Sequence, residues 1–207
     1  MAKIAVILPA AGKSERFGGK EKKIFAKIDN RPVFLRSIEA FLQREDVCQT
    51  ILAVAPDDDA DVRQKFGANL GFMGVKLVVG GVERFETVSK ALAAVSEEAE
   101  FVAVHDAVRC CVSNEMIDAV FAEAQKTGAA ILASPLHGTI KRVSEAKVID
   151  ETIPRAGLYE AQTPQVFRKS LLLEAYSKVA DVQGQVTDDA QLVESLGHPV
   201  SVVVSDP

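Results

Sequence analysis

Ile4-Ala-Val-Ile-Leu-Pro-Ala-Ala-Gly-Lys-Ser-Glu-Arg-Phe-Gly-Gly19 sets an apolar run of strand length directly against a glycine-rich, cationic loop. A continuous apolar run, rather than an alternating one, marks a strand covered on both faces. The same unit recurs down the chain. Thr50–Ala55, Val75–Val79, Phe101–Val104 and Ala129–Ser134 read as strands, with His198–Val204 as the last. Between them lie segments of helical character: Arg31–Gln43 with Pro32 in its first turn, an acidic stretch around Asp57–Phe66, and Glu83–Val95 with Phe85, Val88, Leu92 and Val95 on one face. Ser113 reads as the N-cap of a helix over Asn114–Lys126, and Gly128 as its stop. Arg168–Val179 is a further helix, and Thr187 is expected to cap another whose first turn holds Asp188 and Asp189. Strand–helix alternation of this kind dictates an α/β fold with a doubly wound, mostly parallel sheet. Ligands of such sheets bind beyond the carboxyl ends of the strands. That rule selects the loops Pro9–Lys23, Gly80–Arg84 and His105–Cys111.

At 207 residues the chain is of a size for one domain. Its hydrophobic content of 48% is enough for a core, and no apolar run approaches the roughly 20 residues needed to cross a bilayer. Met1-Ala-Lys-Ile runs straight into the first strand without signal-peptide regions, so a cytoplasmic protein without a membrane partner is expected. Cys48, Cys110 and Cys111 form no disulfide framework, and His105, His137 and His198 lack metal-ligand spacing. A net charge of −5 argues against a nucleic-acid partner, but its distribution is uneven: residues 1–31 carry +5 and the remainder −10. A cationic cluster on an acidic protein points to a local anion site.

The alternation breaks at about 136–157, a polar segment with short β-type stretches at Thr139–Val143 and Lys147–Ile149. Two isolated strands are marginal in water. The segment is therefore expected to be a β-arm on a domain spanning 1–207, packed on a second subunit.

The loop after the first strand is neither of the common phosphate loops. Gly12-Lys13-Ser14 fits the end of a P-loop, but the required earlier glycine falls on Ile7, and no G-x-G-x-x-G occurs. What remains is a backbone of small residues able to cradle anions, with Arg16 in its middle and Lys22-Lys23 at its end. Asp106 follows a buried strand, where it could orient substrate hydroxyls, help hold a hard cation, or simply cap a turn. Arg109 could pair with Asp106 or with substrate.

Pro9-Ala-Ala-Gly with a following Arg and Lys resembles the signature loop of sugar-phosphate nucleotidyltransferases. Gly80-Gly-Val-Glu-Arg84, His105-Asp-Ala-Val-Arg109, Gly138-Thr-Ile-Lys-Arg142, Tyr159-Glu-Ala-Gln-Thr-Pro-Gln-Val-Phe167 and Thr187-Asp-Asp-Ala190 narrow the resemblance to the 2-C-methyl-D-erythritol 4-phosphate cytidylyltransferase family. The resemblance spans nearly the whole chain. It implies that CTP and a polyol phosphate are joined with release of pyrophosphate, with Mg2+ as cofactor. Arg16 and Lys23 match the charge-stabilising positions. Lys22 and Ile24 stand where a Pro and a Gln are common, so Lys22 competes with Lys23 for the role.

The resemblance further implies nucleotide contacts from Pro9, Ala10, Ala11, Gly12, Thr87 and Asp106, with Gly80 and Gly81 admitting the pyrimidine. It places Asp106, Arg109 and Thr163 on the polyol phosphate, and Thr139 and Arg155 on the neighbouring subunit's substrate through an exchanged arm in a homodimer. Asp106 and Asp206 are the metal candidates, His105 is structural, and Cys110-Cys111, in place of Pro-Cys, receives no role. Family members typically continue past this point with an Asn-Ile-Lys-type strand and a helix. The lysine there binds substrate phosphate and has no counterpart before Pro207, which bears on activity rather than fold. A ribitol 5-phosphate cytidylyltransferase and a nucleotide-binding module with weakened catalysis are the alternatives.

Overall fold

The computed structural model describes residues 2–12, 22–179, 182 and 186–206. β1 (Ile4–Ala10) is followed by a single 3-10 turn at Lys23–Phe25, a short ribbon of β2 (Lys27–Ile28) and β3 (Arg31–Pro32), and α1 (Val33–Leu42). Then come β4 (Val47–Val54), α2 (Pro56–Phe72), β5 (Val75–Val79), α3 (Arg84–Leu92), β6 (Phe101–Val104), α4 (Asn114–Thr127) and β7 (Ala129–Pro135). A separate ribbon of β8 (Ile140–Val143) and β9 (Ile149–Ile153) precedes β10 (Tyr159–Arg168), α5 (Lys169–Ser177), α6 (Asp189–Ser195) and β11 (Ser201–Val204).

Seven strands form one sheet in the order β11-β7-β10-β6-β1-β4-β5, parallel throughout except for the two pairings made by β10. Successive side chains of β1 divide between two cores, because strand residues alternate faces. Ile4, Val6, Leu8 and Ala10 pack with apolar residues of α1, α2 and α4, while Ile7 packs with those of α3, α5 and α6. Burying one such Leu or Ile contributes about 1.5–3 kcal/mol, so a two-sided central strand anchors the fold. The chain lays β4 and β5 on one side of β1, returns through α3, and adds β6 on the other side. The strand order thus reverses between β1 and β6, which opens a crevice beyond their carboxyl ends.

The structure corrects several sequence expectations. Arg31 and Pro32 pair with Ile28 and Lys27, so α1 starts after Pro32. α2 runs on through Gly67 and Gly71 and stops before Gly74, whose φ of 68° suits glycine. Asp188, not Thr187, caps α6, its carboxylate accepting the Gln191 amide at 3.0 Å. β10 was not legible as a strand because polar residues and Pro164 interrupt it. A proline contributes no ladder donor, and its pairing with β7 shifts register between Ala161 and Gln165. The β8–β9 ribbon forms its own sheet and leaves Val143, Val148 and Ile149 exposed.

Candidate functional site

Two clefts meet at the crevice. One, of about 270 Å3, is lined by Pro9–Gly12 after β1, by Lys23 and Ile24, by Arg84 and Thr87 of α3, and by Asp106 and Val108 after β6. The other, of about 240 Å3, is lined by Arg84, Asp106, Arg109, Ala161, Thr163, Gln165, Thr187 and Asp188. Arg84 and Asp106 are the residues shared by both walls.

The two adjacent lysines point to different tasks. Lys22 Nζ lies 2.7 Å from both carboxylate oxygens of Asp58 on α2. Lys23 lines the first cleft. Its position is set by its neighbours, since Ile24 is buried and Phe25 sits 6.3 Å from both Phe66 and Phe34, ring centre to ring centre. Ile24 is therefore a packing anchor for the loop's end. Arg16 lies outside the described residues.

Asp106 receives Arg109 Nε at 3.0 Å on one oxygen and Arg84 at 3.4 Å on the other. Burial opposes ionisation, yet the two guanidinium groups outweigh it and hold the carboxyl below its usual range. Thr163 Oγ1 accepts the Asp106 amide at 3.2 Å and stands 3.0 Å from His105 Nδ1. His105 Nε2 lies 2.9 Å from the Arg109 carbonyl, an acceptor, so the ring carries its proton there and accepts from Thr163 at Nδ1. Burial lowers the His105 pKa to about 4. The neutral, fully buried imidazole ties the loop from Asp106 to Arg109 to Thr163 of β10. Arg109 also donates to Gln162.

Arg84 was legible only as part of a motif, and the structure gives it a specific place. Its Nη2 lies 2.8 Å from Oδ2 of Asp189, a carboxylate with 0% exposure, while the same group reaches Asp106. Tyr176 donates to the other oxygen of Asp189. Burial works against the Arg84 charge, and Asp189 and Asp106 more than compensate, raising its pKa. Gln165 was likewise unread. Its Oε1 accepts the amides of Asp189 and Ala190 at 3.1 and 3.0 Å, and its Nε2 donates to Asp188 at 2.9 Å, so β10 pins the start of α6 beside the second cleft.

A family model for 2-C-methyl-D-erythritol 4-phosphate cytidylyltransferase matches residues 4–207. The chain belongs to this family. A relative of that name from Rhodopirellula baltica is 40% identical over 213 residues, covering 98% of this chain and 86% of its own. The crystal structure of 4-diphosphocytidyl-2C-methyl-D-erythritol synthase from Anaerococcus prevotii superposes with a TM-score of 0.81 at 27% identity, covering 99% of this chain and 88% of its own. That of the cytidylyltransferase from Thermus thermophilus gives 0.80 at 29%, covering 99% and 89%. The α/β fold with its mostly parallel sheet is that of the family.

The remaining residues singled out in the sequence are placed as follows. A Cβ on Gly81 would sit 2.3 Å from Glu86 Cβ, and one on Gly80 2.7 Å from Thr87. Both glycines thus have an internal reason to exist, namely the close approach of α3. Thr87 lines the first cleft, but its hydroxyl accepts the Gly81 amide and donates to the Glu83 carbonyl, both at 3.0 Å. At Gly12, by contrast, a Cβ would meet nothing within 4 Å, so that space faces the cleft. Thr139 and Arg155 are exposed on the ribbon and line neither cleft of their own chain; Arg155 donates to the His137 carbonyl at its base. Asp206 lines a third cleft of about 240 Å3 with Arg109, Thr163 and Cys110, apart from Asp106. Among the described residues no group of three or more His, Cys, Asp or Glu could hold a metal. Of the two metal candidates, Asp106 is the one that lines both clefts, and a single carboxylate is compatible with Mg2+ held chiefly by phosphates and water, the usual mode for that ion. No helix among the described residues is long and apolar enough to cross a membrane.

Proposed function

We propose that the chain transfers the cytidylyl group of CTP to 2-C-methyl-D-erythritol 4-phosphate. The products are 4-diphosphocytidyl-2-C-methyl-D-erythritol and pyrophosphate, in the cytoplasmic synthesis of isoprenoid precursors. The observation that carries this reading is the pair of clefts meeting at Arg84 and Asp106. The first, with the bare loop Pro9–Gly12 and Lys23, suits a nucleotide triphosphate; the second, with Arg109, Thr163 and Thr187, suits a small phosphorylated polyol.

The polyol's phosphate monoester is ionised at neutral pH, so attack needs no strong base. One of its oxygens forms a bond to the α-phosphorus of CTP as the bond to the β-phosphate oxygen breaks, and pyrophosphate leaves with the electron pair. The enzyme's work is to bring two polyanions together and stabilise the charge that builds on the α-phosphate. Lys23 supplies a compact charge at the nucleotide loop, and Arg16 a two-donor fork. Asp106 is the residue that would hold Mg2+, which, bound with the triphosphate, would supply neutralisation of phosphate charge. Asp206 is set aside as a ligand.

The chain is read as one catalytic domain over 1–207 that works as a homodimer. The β8–β9 ribbon, exposing Val143, Val148 and Ile149, is the arm that carries Thr139 and Arg155 to the partner's second cleft. Mixing a Lys23→Ala protein with a Thr139→Ala/Arg155→Ala protein should restore about a quarter of native activity through hybrid dimers; no recovery counts against the exchanged arm. The substrate is tested by CTP-dependent pyrophosphate release with methylerythritol 4-phosphate and with ribitol 5-phosphate. At least tenfold higher kcat/KM for the former is expected, and a preference for ribitol phosphate overturns the assignment.

A further inference from the structure

Arg84 and Asp106 form the partition between the two clefts, and the partition is held from behind. The Arg84 guanidinium bridges a half-buried carboxylate in the site, Asp106, to a fully buried one at the start of α6, Asp189. Asp189 is itself fixed, by the Tyr176 hydroxyl from α5 and by Gln165 from β10, which accepts its backbone amide. Arg84 stands at the first position of α3, whose N-terminus is locked by a reciprocal capping box between Glu83 and Glu86. Its backbone and its guanidinium are thus both held.

We infer that Arg84 is a positioning residue for the reaction: it holds Asp106 at the boundary between nucleotide and polyol phosphate, using Asp189 as its fixed anchor. The inference rests on the proposed role of Asp106. A planar fork bound to two carboxylates restricts Asp106 more tightly than the Arg109 contact alone, because Arg109 is a neighbour on the same loop and moves with it. A buried pair seldom adds much stability over an apolar one, so a bridge that ends in the site is better explained by placement. Loss of the bridge lets Asp106 follow its loop, and misplacement by about 1 Å is enough to lower turnover on the order of 100-fold.

The test is a double-mutant cycle with Arg84→Gln and Asp106→Asn, read by kcat and by KM for each substrate. Each single change should lower kcat roughly 100-fold with both KM values within about threefold, and the double variant should be no worse than the worse single. Multiplicative losses overturn the inference, as does a rise in KM for CTP at unchanged kcat, which marks direct phosphate binding instead. Native kcat in Asp106→Asn would refute the role of Asp106. Native kcat in Arg84→Gln, with Asp106→Asn impaired, would refute the positioning role alone. Because Arg84→Gln strands a buried carboxylate, it is also made in an Asp189→Asn background. Asp189→Asn alone should lower kcat in the same direction by loosening the anchor, and Arg84→Gln should then lower kcat by no more than about threefold further; a full second loss there overturns anchoring through Asp189.

Discussion

Replacing the two adjacent lysines one at a time separates the site from its scaffold. Lys22 lies 2.7 Å from Asp58, with the two side chains 35% and 11% exposed. Such a partly exposed pair contributes about 0.2–1 kcal/mol. Lys22→Ala should therefore lower the melting temperature by no more than roughly 4 °C, using the usual 2–4 °C per kcal/mol for a chain of this size. It should leave kcat within about twofold, since no atom of the reaction is touched. Lys23 lines the nucleotide cleft beside Gly12. Removing a donor aimed at developing phosphate charge costs about 3–4 kcal/mol in the barrier, or 100- to 1000-fold in kcat. The loop's end should stay folded in Lys23→Ala, because its packing anchors are Ile24 and Phe25. Pyrophosphate release and thermal unfolding, measured on the same preparations, give both quantities. The reasoning is refuted if Lys22→Ala loses turnover and Lys23→Ala keeps it.

Further perturbations probe the loops and the buried network. Gly12→Ala should keep native stability and weaken CTP binding at least tenfold by titration calorimetry, whereas Gly81→Ala should destabilise by about 1–3 kcal/mol through its overlap with Glu86. Tyr176→Phe removes a donor from buried Asp189 and should cost about 1–3 kcal/mol in urea unfolding. The His105 pKa of about 4 in the folded chain lies below the ordinary value of 6.5, so the unfolded chain takes up a proton that the folded one refuses. Stability should accordingly fall by up to about 3 kcal/mol as pH drops from 6.5 to 4, and urea midpoints in a His105→Gln variant should lose most of that limb.

The parallel framework was readable because its strands are buried on both faces and so are written as unbroken apolar runs; Ile4–Ala10 and Phe101–Val104 stand where expected. β10 escaped because its Thr163 and Gln165 serve the loop after β6 and the start of α6, not the core, so no apolar period marks it. Asp106 and Lys23 were found from their position after a strand and within the cationic loop. Arg84 was not, because nothing in a linear sequence shows that α3 brings it against Asp189, more than one hundred residues away. The separation of Lys22 from Lys23 likewise depends on Asp58: the acidic helix that carries it was legible, but its approach to Lys22 across 36 positions was not.

The proposed reaction is defined by which atom attacks which. Methylerythritol 4-phosphate carrying 18O in its non-bridging phosphate oxygens, incubated with CTP and the protein, should yield a diphosphate product that retains all of the label, with one labelled oxygen now in the bridge. The released pyrophosphate should be free of it. Label in the pyrophosphate, or CTP consumed without a labelled diphosphate product, would contradict transfer to the polyol phosphate at the α-phosphorus.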